Sequence, residues 1–275
     1  MNLTSIIGLG LGILAVFGGA LLEGIHLHSI LQGTAAIIVL GGTFGATLLS
    51  FPFKIIVSAC KSMKKAMIDR QNDLNHLIQS ITRYAIISRR EGRFALQDRL
   101  PEVADHFLRR ALTLVVDGTD TKTMREVMEV ELNQIEANGD LEAKVFEAAG
   151  GYAPTIGIIG AVLGLIHVMQ NLTDPSQLGT GIAVAFVATV YGVGSANLIF
   201  FPFASKLRNR LKQTITAKEM MLEGAIGIQE GTNPHIIEEK LKSFLTVNER
   251  NQRKVIGPDF SGRILDLKRS GGRRQ

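Results

Sequence analysis

The side chains that could do chemistry are few in this 275-residue chain. Cys60 is the only cysteine, which excludes a disulfide scaffold. His26 and His28 form an H-x-H pair, but no neighbour completes a metal shell, so they read as interfacial polar residues. The run GLGLG at Gly8–Gly12 superficially resembles a dinucleotide loop. It lies inside an apolar stretch and follows no strand, so that reading fails. The polar groups left in apolar stretches are Thr43, Thr47, Thr155, His167, Thr189, Tyr191, Ser195 and Asn197. Serine and threonine commonly bond back to their own helix, so most of these need no role. The informative feature is an absence. No apolar run carries a central Asp, Glu, Lys or Arg, whereas ion pathways through a membrane need an ionisable or coordinating group. If this chain walls an ion path, another chain supplies the carboxylate. His167 is the titratable exception, placed near the outer end of its run. Neither an enzyme nor a resident cofactor or metal is expected.

The elements that hold these residues follow from charge. All 30 Lys and Arg fall in two blocks, Lys54–Lys144 and Lys206–Arg274. The intervals without bases, 1–53 and 145–203, carry only three acids, Glu23, Glu147 and Asp174. A bilayer core takes roughly 20 apolar residues per helix. Leu3–Leu22, Ile30–Phe53, Tyr152–Met169 and Gly179–Phe203 meet that requirement as four spans in two tight hairpins. No base precedes Leu3 and a second apolar run follows at once, so Leu3–Leu22 reads as a span and not as a cleaved leader. Bases stay on the cytoplasmic side. Both termini and the middle block therefore face the cytoplasm. The expected organisation is a transmembrane hairpin at 1–53, a cytoplasmic helical domain at 54–150, a second hairpin at 151–203, a helical tail at 204–245 and a disordered basic tail at 246–275. The fold class is all-α integral membrane. The net charge of +5 comes from the tail, because 15 bases in the middle block face 15 acids from Asp69 to Glu147. Nucleic acid is not implied; membrane lipid is.

The middle block has helical periodicity. Leu74, Leu77, Ile78, Ile81 and Tyr84 mark one buried face, and Phe107, Leu108, Ala111, Leu112 and Val115 a second. Asp117–Gly118 breaks the pattern. Thr123 and Glu126 then fit a capping box, followed by the stripe Met124, Met128, Leu132 and Ile135. Phe203, Leu207, Leu211 and Ile215 continue the fourth span, and Asn233–Pro234 opens a short helix to Leu245. Gly8/Gly12, Gly41/Gly45 and Gly160/Gly164 are each four apart, a spacing that lets helix backbones approach closely in lipid. That approach could be within one subunit or between subunits.

Four segments then resemble a known family. GGYAPTIGIIGAVLGLIHVM at Gly150–Met169 and AVAFVATVYGVGSANLIFFP at Ala183–Pro202 are similar to the third and fourth spans of flagellar motor stator subunits of the MotA/PomA type. RYAIISRREGRFALQD at Arg83–Asp98 and EGAIGIQEGTNPHIIEEKLKSFL at Glu223–Leu245 are similar too. The resemblance covers residues 1–245 in order and spacing. Two spans before the large loop favour this branch over the related TolQ and ExbB proteins, which have one. The alternatives are a TolQ/ExbB-like energiser of an envelope complex and a self-contained ion carrier. The resemblance implies a bacterial inner-membrane protein that forms a pentameric ring around a MotB-like partner. That partner carries the ion-binding aspartate, and ion flow drives the ring against the rotor protein FliG.

Carried over residue by residue, the resemblance puts the family's two prolines on Pro154 and Pro202, as hinge or conformational residues. Simple termination of the fourth span also suits Pro202. The ion-facing threonine falls on Thr189. Seven residues after Pro154, where sodium-type members carry threonine, stands Ala161. Sodium needs several oxygen ligands, so this alanine implies protons as the transported ion, with Thr155 near enough in sequence to bear on the choice. The rotor-facing arginine falls on Arg89, with Arg90 beside it. The family's acidic partner falls on neutral Gln97, leaving Asp98 or Glu91 for that role. An acidic residue expected three before Pro154 is Gly151.

Overall fold

The computed structural model describes residues 3–24, 30–68, 74–170 and 175–245. His26, His28, Asn171, Asp174 and the tail 246–275 lie outside the described residues. Among the described residues every regular element is helical. In chain order these are α1 (Leu3–Leu22), α2 (Gly33–Ser50), α3 (Phe53–Ile68), α4 (Leu74–Glu91), a 3-10 segment (Arg93–Glu102), α5 (His106–Val116), α6 (Thr121–Gln170), α7 (Pro175–Ser195), α8 (Phe201–Gln229) and α9 (Pro234–Lys242). A π turn at Ala196–Phe200 joins α7 to α8, and a second, Ile37–Gly41, lies within α2. Among the described residues three helical runs are long and apolar enough to cross a membrane: Gly33–Ser50, α6 and Leu178–Gln229. The stretch Ile7–Leu22 of α1 is a shorter apolar helix. The chain divides into two compact units, Met1–Asn72 with Val130–Ile215, and Asp73–Glu129 with Thr216–Gln275.

In the first unit α6 and α7 touch backbone to backbone. A Cβ on Gly164 would lie 2.8 Å from the Ala185 nitrogen and 2.9 Å from the Gly181 oxygen. One on Gly157 would lie 2.9 Å from the Ala188 oxygen, and one on Gly192 2.5 Å from the Ala153 oxygen. Small residues at turn spacing on both helices (Ala153, Gly157, Gly160, Gly164; Gly181, Ala185, Ala188, Gly192) make this possible. The Gly160/Gly164 pair therefore packs within the chain. Gly8, Gly41 and Gly45 have nothing within 4 Å, while Gly12 meets the Leu198 side chain at 3.1 Å.

α2 fills one groove of this helix pair. Ile38 reaches the Gly160 position and Ile156 the Gly42 position. Ala35 and Val39 are fully buried against Val187 and Ala188. The Tyr191 hydroxyl donates to the Ile30 carbonyl (2.7 Å) and accepts from the Gln32 amide (3.4 Å), so a side chain of α7 satisfies backbone groups at the entry to α2. Ser50 and Tyr152 hydroxyls meet at 2.8 Å at its other end. α3 packs Met63 and Ala66 against Ala143 and Leu207, and the Phe146 and Phe203 rings meet edge to face at 5.7 Å.

Two prolines behave differently from helix terminators. Pro154 sits inside α6, and the helix runs on unbroken through Gly150–Gly151 as well. Pro202 does not end the helix; α8 continues to Gln229. A proline lacks an amide donor and crowds the carbonyl four residues back. The π turn just before Pro202 loosens the ladder there, with the Phe201 amide bonding to the Ala196 oxygen five residues back.

The second unit has an ordinary apolar core. Ile78 and Ile81 of α4, the α5 face Phe107, Leu108, Ala111, Leu112 and Val115, and Met124 and Met128 of α6 are all buried, as their spacing predicts. Gly118, at φ +73, makes the break after α5. The cap of α6 is Asp120 and not Thr123: the Asp120 carboxylate accepts from the Thr123 amide at 3.0 Å. The helix thus starts two residues before Thr123, because a carboxylate accepts that bond more strongly than a hydroxyl. Asn233 caps α9 as expected, its side-chain oxygen accepting from the His235 amide at 3.1 Å, and the helix ends at Lys242.

The glycine contacts yield a measurable expectation. Gly192→Ala and Gly164→Ala force α6 and α7 apart, an overpacking cost of about 1–3 kcal/mol each. Both should lower the melting temperature of the detergent-solubilised protein, whereas Gly45→Ala meets nothing within its own chain. Unchanged melting of Gly192→Ala would contradict the close contact.

Candidate functional site

The groove of the α6–α7 pair opposite α2 is open. With about 100° of rotation per residue, Ile158, Ala161 and Leu165 share one flank of α6, next to the glycine contact line. Ile182, Phe186, Thr189 and Val193 share the corresponding flank of α7. In an antiparallel pair these flanks fall on the same side. Gly160 faces Ala188, so the next residues, Ala161 and Thr189, stand at similar height. The apolar members are exposed, Phe186 at 71% and Ile158 at 59%. This flank is a ready-made apolar wall with one hydroxyl on it.

That hydroxyl belongs to Thr189, which donates to the Ala185 carbonyl at 3.2 Å and keeps its lone pairs for another donor. Thr155 is not brought to the same place. By rotation it lies on the far face of α6 from α7, and its hydroxyl donates to the Tyr152 carbonyl at 2.8 Å. The other polar groups of the spans also bond back: Thr43 to Val39, Thr47 to Thr43, Ser195 to Gly192 and Asn197 to Val193. Pro154 is half-buried and Pro202 exposed.

The charged candidates gather at one corner of the second unit. Arg89, Arg90 and Glu91 are the last residues of α4, Gly92 turns the chain at φ +87, and Asp98 lies on the 3-10 segment. All four side chains are exposed, as is Gln97. Two ion clusters of the second unit escaped the sequence. The Asp105 carboxylate accepts from the Phe107 and Leu108 amides at 2.9 and 3.2 Å, and Lys218 donates to it at 2.7 Å. Glu223 binds Arg125 at 2.8 Å and also Lys240. Burial pushes both carboxyls up, but their lysine and arginine partners outweigh it and hold them below the usual range. Partners this distant in sequence leave no local pattern.

Known proteins share this arrangement. The sequence profile of the MotA/TolQ/ExbB proton channel family matches residues 99–220, and that of Motility protein A N-terminal matches residues 6–91. Motility protein A of Bacillus subtilis (strain 168) is 34% identical over 251 residues, covering 91% of this chain and 93% of that protein. The chain belongs to the MotA/TolQ/ExbB proton channel family. Its N-terminal match places it with the MotA members of that family, a family of channel proteins and not enzymes. Two solved structures are similar in shape. That of C. jejuni MotAB has a TM-score of 0.85 and 32% identity, covering 90% of this chain and 97% of that chain. That of the flagellar MotAB stator complex from Bacillus subtilis has a TM-score of 0.82 and 33% identity, covering 90% and 98%. MotA members are multi-pass membrane proteins, consistent with the three long apolar helices here.

The ion clusters set a pH dependence. Carboxyls held below their unfolded values stabilise the fold above the usual carboxylate pKa and lose that contribution as pH falls through the lowered value. The second unit should therefore loosen below about pH 4. Asp105→Asn keeps a capping oxygen but loses the ion pair. Together with Glu223→Gln it should flatten the acid limb of an unfolding-versus-pH curve; an unchanged limb would contradict this.

Proposed function

We propose that this chain is the A-type stator subunit of a bacterial flagellar motor, forming an ion channel with a MotB-like partner. The open flank of α6–α7 carries the reading. It is apolar, holds one hydroxyl and has no carboxylate, so it suits a partner helix that brings its own aspartate. α1 serves as a fourth span, giving two hairpins with both termini in the cytoplasm of a cell whose inner membrane holds the complex. Several copies, five in the ring, surround the partner. Thr189 and Ala161 line the ion path; Thr155, on the far face of α6, does not face it. Each elementary charge descending 100 mV releases about 2.3 kcal/mol, which a protonation cycle on the partner's aspartate converts into movement of the ring.

Pro154 and the π turn before Pro202 are the points where α6 and the α7–α8 run give. Arg89, Arg90, Glu91 and Asp98 face the rotor protein FliG. Ala161 provides no oxygen ligand for sodium, so protons carry the current. The assigned parts are the hairpins 1–53 and 151–203, the rotor-facing block 54–150 and the tails 204–245 and 246–275.

Deleting the gene should leave flagella assembled but unable to turn, and normal swimming in a strain without a second stator set would overturn the proposal. Thr189→Val removes the hydroxyl at nearly constant shape and should lower motor speed severalfold, while Thr189→Ser restores it. Speed should be indifferent to external sodium at fixed membrane potential; rotation that tracks sodium would refute the proton assignment.

A further inference from the structure

The rotor-facing corner contains an exposed side chain that charge arguments pass over. Phe94 is 66% exposed at the start of the 3-10 segment. Lone exposed apolar residues are ordinary. This one is not alone, because the Arg93 guanidinium lies over its ring, 5.3 Å from the centroid. The same guanidinium is held from a second side. It occupies the space where a Cβ on Gly118 would stand, with Arg93 Nη1 2.7 Å and Cζ 2.9 Å from that point. Gly118 is at φ +73, so both its backbone conformation and its missing side chain admit the arginine. Arg99, by contrast, turns to Glu102 at 3.3 Å.

We propose that Arg93 and Phe94, stacked and braced on Gly118, form the main anchor by which this chain grips an acidic, partly apolar face of the rotor protein. An aromatic ring and a pre-ordered arginine are the side chains that dominate interface energetics. Fixing the guanidinium beforehand removes an ordering cost at each engagement. Arg89, Arg90 and Arg93 outnumber Glu91 within five residues, so the complement of this stretch is predominantly acidic. Neutral Gln97 weakens a contact made by one ion pair, and the Arg93–Phe94 stack supplies what that pair lacks. The idea rests on the rotor-facing reading of this segment.

The experiment uses the full chain with its partner, expressed in a strain lacking both. Wild type must first restore rotation; if it does not, the rotor-facing reading itself fails. Phe94→Ser should then abolish or nearly abolish torque on a tethered bead, with unchanged amounts of complex in the membrane and unchanged proton flux in vesicles. Binding of the purified complex to the rotor protein should weaken about thirtyfold, the scale of an interface hot spot. Phe94→Leu should recover most torque. Arg93→Lys keeps the charge but loses the planar stack, and should show intermediate torque. Wild-type torque in Phe94→Ser, or wild-type torque in Arg93→Lys, would overturn the anchor. So would a loss of torque that merely follows loss of the complex from the membrane, which would assign Phe94 to folding or to lipid.

Discussion

Backbone contact between α6 and α7 is the constraint on which the membrane part of this protein rests. Lipid offers no hydrophobic reward for bringing two apolar helices together, so attraction must come from close surface matching. The residues from Ala153 to Gly164 and from Gly181 to Gly192 provide it by having almost no side chain on the facing line. A pair held this closely has two grooves. α2 fills one with Ala35, Ile38 and Val39, and the other stays open. The position of Thr189 beside Ala161 follows from the same contact, because each stands one residue beyond a member of the Gly160–Ala188 touch.

The absence of charge in the spans and the openness of this groove belong together. A buried carboxylate of the chain's own would need a partner or would be neutralised. A wall of Ile158, Leu165, Ile182, Phe186 and Val193 avoids that penalty and leaves the titrating group to whatever helix occupies the groove. The polar groups of the spans are satisfied locally, most by their own helix carbonyls and Tyr191 by the entry to α2. Apart from Thr189, whose hydroxyl lies on the open flank, such groups serve to hold their helices.

The sequence made the helices, their buried faces and the charge-free intervals legible, because each depends on residues close together in the chain. Phe107, Leu108 and Leu112, or Met124 and Met128, could be placed in a core from spacing alone. What it hid depends on distant partners or on competition between caps. The glycines at 160 and 164 were visible, but whether they faced their own chain depended on Ala185 and Ala188. Asp120 displaced Thr123 as the cap of α6. Pro202 suited either a hinge or an end, and the helix passes it after a π turn. At the candidate site, Thr189 and Ala161 emerged together while Thr155 fell on another face. The pairing of Asp105 with Lys218, 113 residues apart, had no local signature.

The central claim is that this chain is the wall of an ion path whose titrating group lies on another chain. Proton flux into sealed vesicles under an imposed potential tests it directly, comparing this chain alone with the same chain joined to its single-span, aspartate-bearing partner. The account predicts no flux above empty vesicles for the chain alone, and flux with the partner that disappears when the partner's aspartate is changed to asparagine. Proton flux through the chain alone would contradict it.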